Sequence, residues 1–354
     1  MQARVILNLP AEDSIQRILI IKWSAMGDIV IASALFEDIY HAFPGREIHL
    51  NTLPPWQKLF EGDRRFQQVF ALDLRKRKES LRNSRKWLHH VGKMRYNLLI
   101  DLQSNDRSRI LLSLLWLGGR QIPYRIGNNR QFPYNVASTI IPPPPHAFDR
   151  MRAALHAGGI PTVTQRPMLH IPAKNREQAR QLMHTHGLVA GDYGIFFPGC
   201  QSAGYLKRWG TERYAALARQ LHSAGLNKIV LIGAKDEIEE CQKIEQICGS
   251  WVVNLCGQTE IQDIVPLCEG ARLMVGNDTG TAHVAASVDR PMVVICGPTD
   301  PRRVKPIGNN VVALQTDLPC INCYRKTCSH HSCMAMITPS RVIEHLRQAR
   351  ATIP

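Results

Sequence analysis

Acidic residues are scarce in this chain. Its 354 residues carry 44 Lys and Arg against 29 Asp and Glu, a formal net charge of +15. An excess of that size implies a polyanionic partner or surface, and leaves nucleic acid, anionic lipid and a phosphorylated glycan open. Aromatic residues are also few, at 6%. Only Trp87 and Tyr96 lie near the most basic stretch, too few for a base-stacking platform, and no nucleic-acid partner is expected. No apolar run approaches the ~18 residues of a membrane span. Val5-Ile6-Leu7 is too short for a secretory signal core, and Glu12 and Asp13 follow it closely. The chain is expected to be cytoplasmic. The GxxxxGK[ST] spacing of a P-loop is missing as well.

What is present suits a globular α/β protein of roughly two domains, with 44% apolar residues and 24 Gly. The positive charge is uneven. Between Arg75 and Arg95 stand nine Lys and Arg (Arg75, Lys76, Arg77, Lys78, Arg82, Arg85, Lys86, Lys93, Arg95) against one acid, Glu79. Spacings of three and four put part of this set on one helix face. Its one-sidedness favours an anion-facing surface over a merely solvated one.

Buried strands alternate with amphipathic helices, twice over. The first half predicts strands at 17–23, 47–52, 68–72 and 97–102, with helices at 27–42 and 107–117. The stretch 121–145, rich in Pro, Asn and Arg, reads as loop. A last strand is expected at 168–171 and a helix at 175–186. The second half predicts strands at 193–197, 228–232, 251–255, 271–275 and 292–296. Its helices are expected at 211–224, 236–247, 261–269 and 340–351. Strict alternation implies parallel sheets with right-handed crossovers. Two Rossmann-like domains are expected, 1–180 and 181–354, facing across a cleft.

Four polar turns follow strands, where open α/β sheets bind ligands. Gly276-Asn277-Asp278-Thr279-Gly280-Thr281-Ala282-His283 places backbone amides, an Asp, a Thr and a His at a strand end, suited to a diphosphate. Asp and Thr are equally ordinary helix caps. Lys22-Trp23-Ser24-Ala25-Met26-Gly27-Asp28 offers a carboxylate able to take a proton from a substrate hydroxyl, beside Lys22 and Ser24. Pro198 to Trp209 combines small residues with Lys207 and Arg208, suited to a phosphate. Gly233-Ala234-Lys235-Asp236-Glu237 sets carboxylates where ribose hydroxyls, or simply a helix dipole, would meet them.

Taken in order, these sites resemble the ADP-heptose lipopolysaccharide heptosyltransferases, inverting glycosyltransferases of the GT-B fold. Asp101-Leu102-Gln103 with Arg107-Ser108, Lys207-Arg208-Trp209 and Gly297-Pro298-Thr299-Asp300-Pro301 carry the resemblance with the turns above. It implies transfer of heptose from ADP-L-glycero-D-manno-heptose to the lipopolysaccharide inner core, either Kdo–lipid A or a heptosylated acceptor. The N-terminal domain would bind the lipid-linked acceptor and the C-terminal domain the donor. Asp28 matches the general base and Lys207 the lysine on the donor phosphates. Thr279, Gly280 and His283 match the diphosphate turn, with Asp278 beside the sugar. Glu237 matches the ribose ligand, and Thr259 stands where the adenine pocket is lined. Lys22, Ser24, Gln103, Arg107 and Arg120 are expected on the acceptor side. The basic face, with Arg109 and Arg125, would meet the anionic core at the cytoplasmic face of the inner membrane. No cofactor and no divalent ion is expected.

Four of the ten cysteines form Cys320-x2-Cys323-x4-Cys328-x4-Cys333, a spacing open to zinc, an iron–sulfur cluster or reduced thiols. Reduced thiols or redox-labile pairs are favoured over a structural metal, and disulfides are not expected in a reducing cytoplasm. Two other functions remain in play: the same fold using another nucleotide-sugar, and a non-catalytic polyanion binder. The last leaves Asp28, Lys207 and the Asp278 turn unexplained.

Overall fold

A computed structural model describes residues 8–74, 80–138, 146–200 and 202–353. The chain divides into two compact units. The first holds residues up to Thr164 with Met168–His170, and the second holds Gln165–Pro167 and everything from Ile171. The helix Ala173–Thr185 lies wholly in the second unit, so the division falls ahead of the 180/181 position expected from sequence. Its buried Asn175 explains the placement: the side-chain amide donates to Asp263 at 2.8 Å, deep in that unit.

The first unit runs β1 (Arg17–Ile21), α1 (Met26–Ala42), β2 (Glu47–Thr52), α2 (Pro54–Gln57), β3 (Gln68–Ala71), α3 (Ser80–Lys93), β4 (Leu98–Asp101), α4 (Asp106–Leu117), β5 (Tyr124–Gly127), β6 (Val136–Ala137) and α5 (Ala147–Ala157). Its sheet is parallel in the order β3-β2-β1-β4-β5-β6. Trp87 and Val91 of α3 and Leu111, Leu112 and Leu115 of α4 pack with Leu19, Ile21 and Leu99 of the sheet. Burying such apolar side chains contributes roughly 1.5–3 kcal/mol each. The central strand β1 is buried along Ile18–Ile21, as a strand covered on both faces must be.

The second unit runs α6 (Ala173–Thr185), β7 (Tyr193–Phe197), α7 (Thr211–Ser223), β8 (Lys228–Leu231), α8 (Ile238–Cys248), β9 (Val252–Asn254), α9 (Ile264–Glu269), β10 (Leu273–Asn277), α10 (Gly280–Ala285), β11 (Met292–Ile295), α11 (Pro301–Val304), β12 (Val311–Leu314), α12 (Ser332–Ala335) and α13 (Pro339–Gln348). Its sheet is again parallel, in the order β12-β11-β10-β7-β8-β9. Val342 and Leu346 of α13 are fully buried in this unit's core, and Trp209 Nε1 donates to Ile337 O just ahead of the helix.

Three expectations are corrected. The 121–145 stretch contains β5 and the edge strand β6, whose brevity and flanking prolines mask their pattern. No strand forms at 168–171; instead Met168 is pinned to Ser33 and Arg65 by its backbone N–H and C=O. α5 and β12 were not foreseen. Residues 5–7, 75–79, 142–145 and 201, which carried parts of the sequence reading, lie outside the described residues.

Both strand orders reverse direction at one place: between β1 and β4 in the first sheet, between β7 and β10 in the second. Diverging crossovers open a crevice at the carboxyl ends of those strands. All four polar turns emerge from strand ends, three of them at these two reversals.

Candidate active site

In the first unit, the backbone leaves β1 and enters α1 through Lys22–Ala25. Lys22 and Trp23 remain buried. Asp28 sits in the first turn of α1, where its carboxylate accepts from Ala25 N at 3.2 Å. A carboxylate there is favoured by the unpaired N–H groups of the helix start. Lys22 Nζ lies 3.8 Å from the same carboxylate and donates to Leu102 O at 3.4 Å. Burial pushes the Lys22 ammonium below the usual lysine range, and attraction from Asp28 and Asp101 opposes that shift. Asp28 itself is 41% exposed, so its carboxylate is reachable from solvent.

The β4 turn braces this segment. Gln103 Oε1 accepts from both Trp23 N and Ser24 N at 3.0 Å. Asp101 is buried and accepts from Gln103 N, Ser104 N and Tyr134 Oη. Burial raises the Asp101 carboxyl above its usual range despite these donors. Tyr134 reaches Asp101 by crossing Gly127, where a Cβ would stand 2.6 Å from the ring. Trp23, Ser24, Leu53, Leu74, Asn105, Asp106 and Arg107 line a cavity of about 380 Å³. Ser24 and Arg107 are therefore brought together, while Gln103 is engaged with backbone. Arg120 is not brought to this cavity: it follows the far end of α4 and donates to Gly92 O at 2.7 Å. Arg125 likewise donates to the Pro133 and Ile122 carbonyls.

In the second unit, Lys207 Nζ pairs with Asp278 Oδ2 at 2.7 Å and donates to Asp278 O at 3.2 Å. Thr299 Oγ1 donates to the same carboxylate at 2.9 Å, which joins the 297–301 turn to the other two. Arg208 turns away, donating to Cys200 O at 2.6 Å and facing Glu240 at 3.4 Å. Burial lifts Glu240 from 4.5 to about 7. Thr279 caps α10 by accepting from Ala282 N; Gly280 begins that helix and His283 is buried within it. Glu237 Oε2 accepts from Ala234 N at 2.6 Å, and burial raises its carboxyl above the usual range. Glu237 is wedged between strand-end glycines: a Cβ on Gly199 would lie 2.2 Å from its carboxyl carbon, and one on Gly233 2.7 Å from Oε2. Thr259 is half-buried in the turn between β9 and α9. The cluster thus offers one lysine, capped helix amides and a buried glutamate around the ends of three strands.

Several supports were not foreseen. Asn277, fully buried at the end of β10, donates to Pro198 O and Gly199 O and accepts from Trp209 N and Tyr214 Oη. It ties the Lys207 segment to the Asp278 turn. Its signal in sequence was a polar residue closing an apolar strand. Gln315 Nε2 holds Gly297 O and Thr299 O, Tyr324 Oη accepts from Asp300 N, and His331 Nε2 meets Leu206 O at 2.6 Å. The cysteine-rich segment therefore braces two of the turns. Cys320 and Cys323 are exposed, and Cys328 and Cys333 are half-buried. Among the described residues no three His, Cys, Asp or Glu side chains are gathered as a metal site.

The sequence model of glycosyltransferase family 9 (heptosyltransferase) matches residues 84–334. The chain belongs to that family. Lipopolysaccharide heptosyltransferase 2 of Salmonella typhimurium is 25% identical over 347 residues, covering 93% of this chain and 97% of that protein. A family 9 glycosyltransferase from Veillonella parvula shares the fold with a TM-score of 0.80 at 21% identity, covering 98% of both chains. The Escherichia coli heptosyltransferase WaaC, solved with ADP-2-deoxy-2-fluoro heptose, superposes with a TM-score of 0.70 at 20% identity, covering 94% of this chain and 99% of that one. Family 9 membership makes the protein a glycosyltransferase with two Rossmann-like units, as the strand orders independently require.

Proposed function

We propose that this glycosyltransferase transfers heptose from ADP-L-glycero-D-manno-heptose to the lipopolysaccharide inner core with inversion, working on a lipid-linked acceptor at the cytoplasmic face of the inner membrane. The observation that carries the reading is the Lys207–Asp278–Thr299 cluster at the β7/β10 reversal. A lysine paired with a carboxylate is stable in the absence of donor and ready to turn to a phosphate. Glu237 would take the ribose hydroxyls. Thr279, Gly280 and His283 would line the diphosphate, Asp278 the sugar and Thr259 the adenine.

In the other half, Asp28 would accept the proton of an acceptor hydroxyl as its oxygen bonds to the anomeric carbon. The bond from that carbon to the ADP oxygen breaks on the opposite face, and ADP leaves with the electron pair. Lys207 and the backbone amides of the Asp278 turn would stabilise the charge that builds there. Ser24 and Arg107 would bind the acceptor, with Gln103 holding the Ser24 backbone in place. In this reading the step uses no cofactor and no divalent ion.

The test is ADP release from ADP-heptose with and without a lipid A-linked acceptor, bare or heptosylated, in the presence and absence of excess chelator. Acceptor-dependent release that survives chelation is expected. Release from another nucleotide-sugar only would transfer the reading to a different donor. No release with any donor would leave the polyanion-binding alternative.

A further inference from the structure

The outer face of α4 is apolar where a soluble helix is ordinarily polar. Ile110, Leu114 and Leu117 are 57%, 49% and 70% exposed. Their spacing of four and three aligns them on one side of the helix, while Leu111, Leu112 and Leu115 fill the core on the other. Leu81 at the start of neighbouring α3 is 73% exposed, and Phe132, whose ring meets Trp116 of α4 edge-on at 5.3 Å, is 50% exposed. Single exposed leucines need no explanation; a line of them with a phenylalanine beside it does.

The charge around this patch has one sign. From Ser80 to Arg130 the chain contains ten Lys and Arg and only two acids, Asp101 and Asp106. Asp101 is buried, and Asp106 is paired with Arg109 at 2.8 Å. α3 contains no acid and exposes Arg82, Arg85 and Lys86. Charged residues are depleted at the core of protein–protein interfaces. Exposed leucines beside a helix that exposes Arg82, Arg85 and Lys86 and contains no acid instead match the headgroup and acyl boundary of an anionic bilayer. The line also leads somewhere: one turn before Ile110, Arg107 lines the cavity that holds Ser24.

We infer that the α3–α4 face of the first unit docks on an anionic lipid bilayer, with the apolar line of α4 entering the interface and α3 meeting the headgroups. Seated this way, Arg107 and the cavity it lines lie about one helical turn from the docked apolar line. The inference rests on the proposed reading only in taking the acceptor to be lipid-linked.

The test is co-sedimentation of the full chain with phosphatidylcholine vesicles, with and without phosphatidylglycerol. Binding is expected to the anionic vesicles and to weaken with salt. The triple variant Ile110→Ser, Leu114→Ser, Leu117→Ser should lose about tenfold or more in vesicle binding. It should keep wild-type turnover of a delipidated, soluble acceptor. Arg82→Glu with Arg85→Glu and Lys86→Glu should lose anionic binding and its salt dependence. Wild-type vesicle binding by both variants, or no vesicle binding by the unaltered chain, overturns the inference. So does a triple variant that loses self-association or a protein partner instead of lipid. Turnover of the soluble acceptor is read separately, so failure of the transferase reading and failure of the docking face are told apart.

Discussion

Asp28 and Lys207 carry opposite charges, and each already has a partner: Lys22 for the first, Asp278 for the second. Their variants should fail in different ways. Asp28→Asn removes a proton acceptor and leaves the second unit untouched. Turnover should fall by about 10²–10⁴-fold, while ADP binds with unchanged affinity by calorimetry; retained turnover would dismiss Asp28 as base. Lys207→Ala removes a charge-assisted bond and also strands the buried Asp278 carboxylate. ADP affinity should drop about tenfold or more, with turnover falling alongside. A calorimetric Kd equal to that of the unaltered chain would take the phosphate role away from Lys207.

At the scale of elements, the β5–β6 edge of the first sheet matters more than its short strands suggest. Tyr134 lies over Gly127 to reach Asp101, which holds the β4 turn and through it the Lys22–Ser24 segment. Gly127→Ala puts a methyl into the ring and should destabilise the protein by about 1–3 kcal/mol. Chemical denaturation would measure this, and a loss of acceptor-dependent ADP release should accompany it. None of this was legible in the sequence. The strands β1, β7 and β10 were, because each is an apolar run followed by a capped turn. β5 and β6 were not, since a strand of two to four residues between prolines leaves no periodic signal. Lys22, Asp28, Lys207 and Asp278 could be singled out because each lies in the polar segment that leads out of an apolar strand. Asn277, Gln315, Tyr324 and His331 could not be given a role, because their partners lie far away in the chain and only the fold introduces them. Arg120 stands apart from the other acceptor-side candidates: it lies past the far end of α4 and donates to Gly92 O.

For the whole molecule, buried carboxyl groups make one contribution to how stability depends on pH. Glu240 is raised from 4.5 to about 7, and Glu237 and Asp101 are raised as well. Across that window the folded chain keeps protons that the unfolded chain has released. Stability contributed by these groups is therefore greatest at low pH and declines as pH rises from about 5 to about 8. Burial pushes the His49 and His90 imidazoles down, and their contribution runs the other way. Thermal unfolding across this range should therefore show Glu240→Gln losing less midpoint, or gaining more, as pH rises than the unaltered chain does. An equal slope in the variant would show that Glu240 does not contribute. The glycines that enclose Glu237 have an evolutionary corollary. A side chain at Gly199 or Gly233 would displace the Glu237 carboxylate from where it now lies. The three positions should therefore change together: among descendants of this fold, an alanine at either glycine foretells a shorter or re-aimed residue at 237.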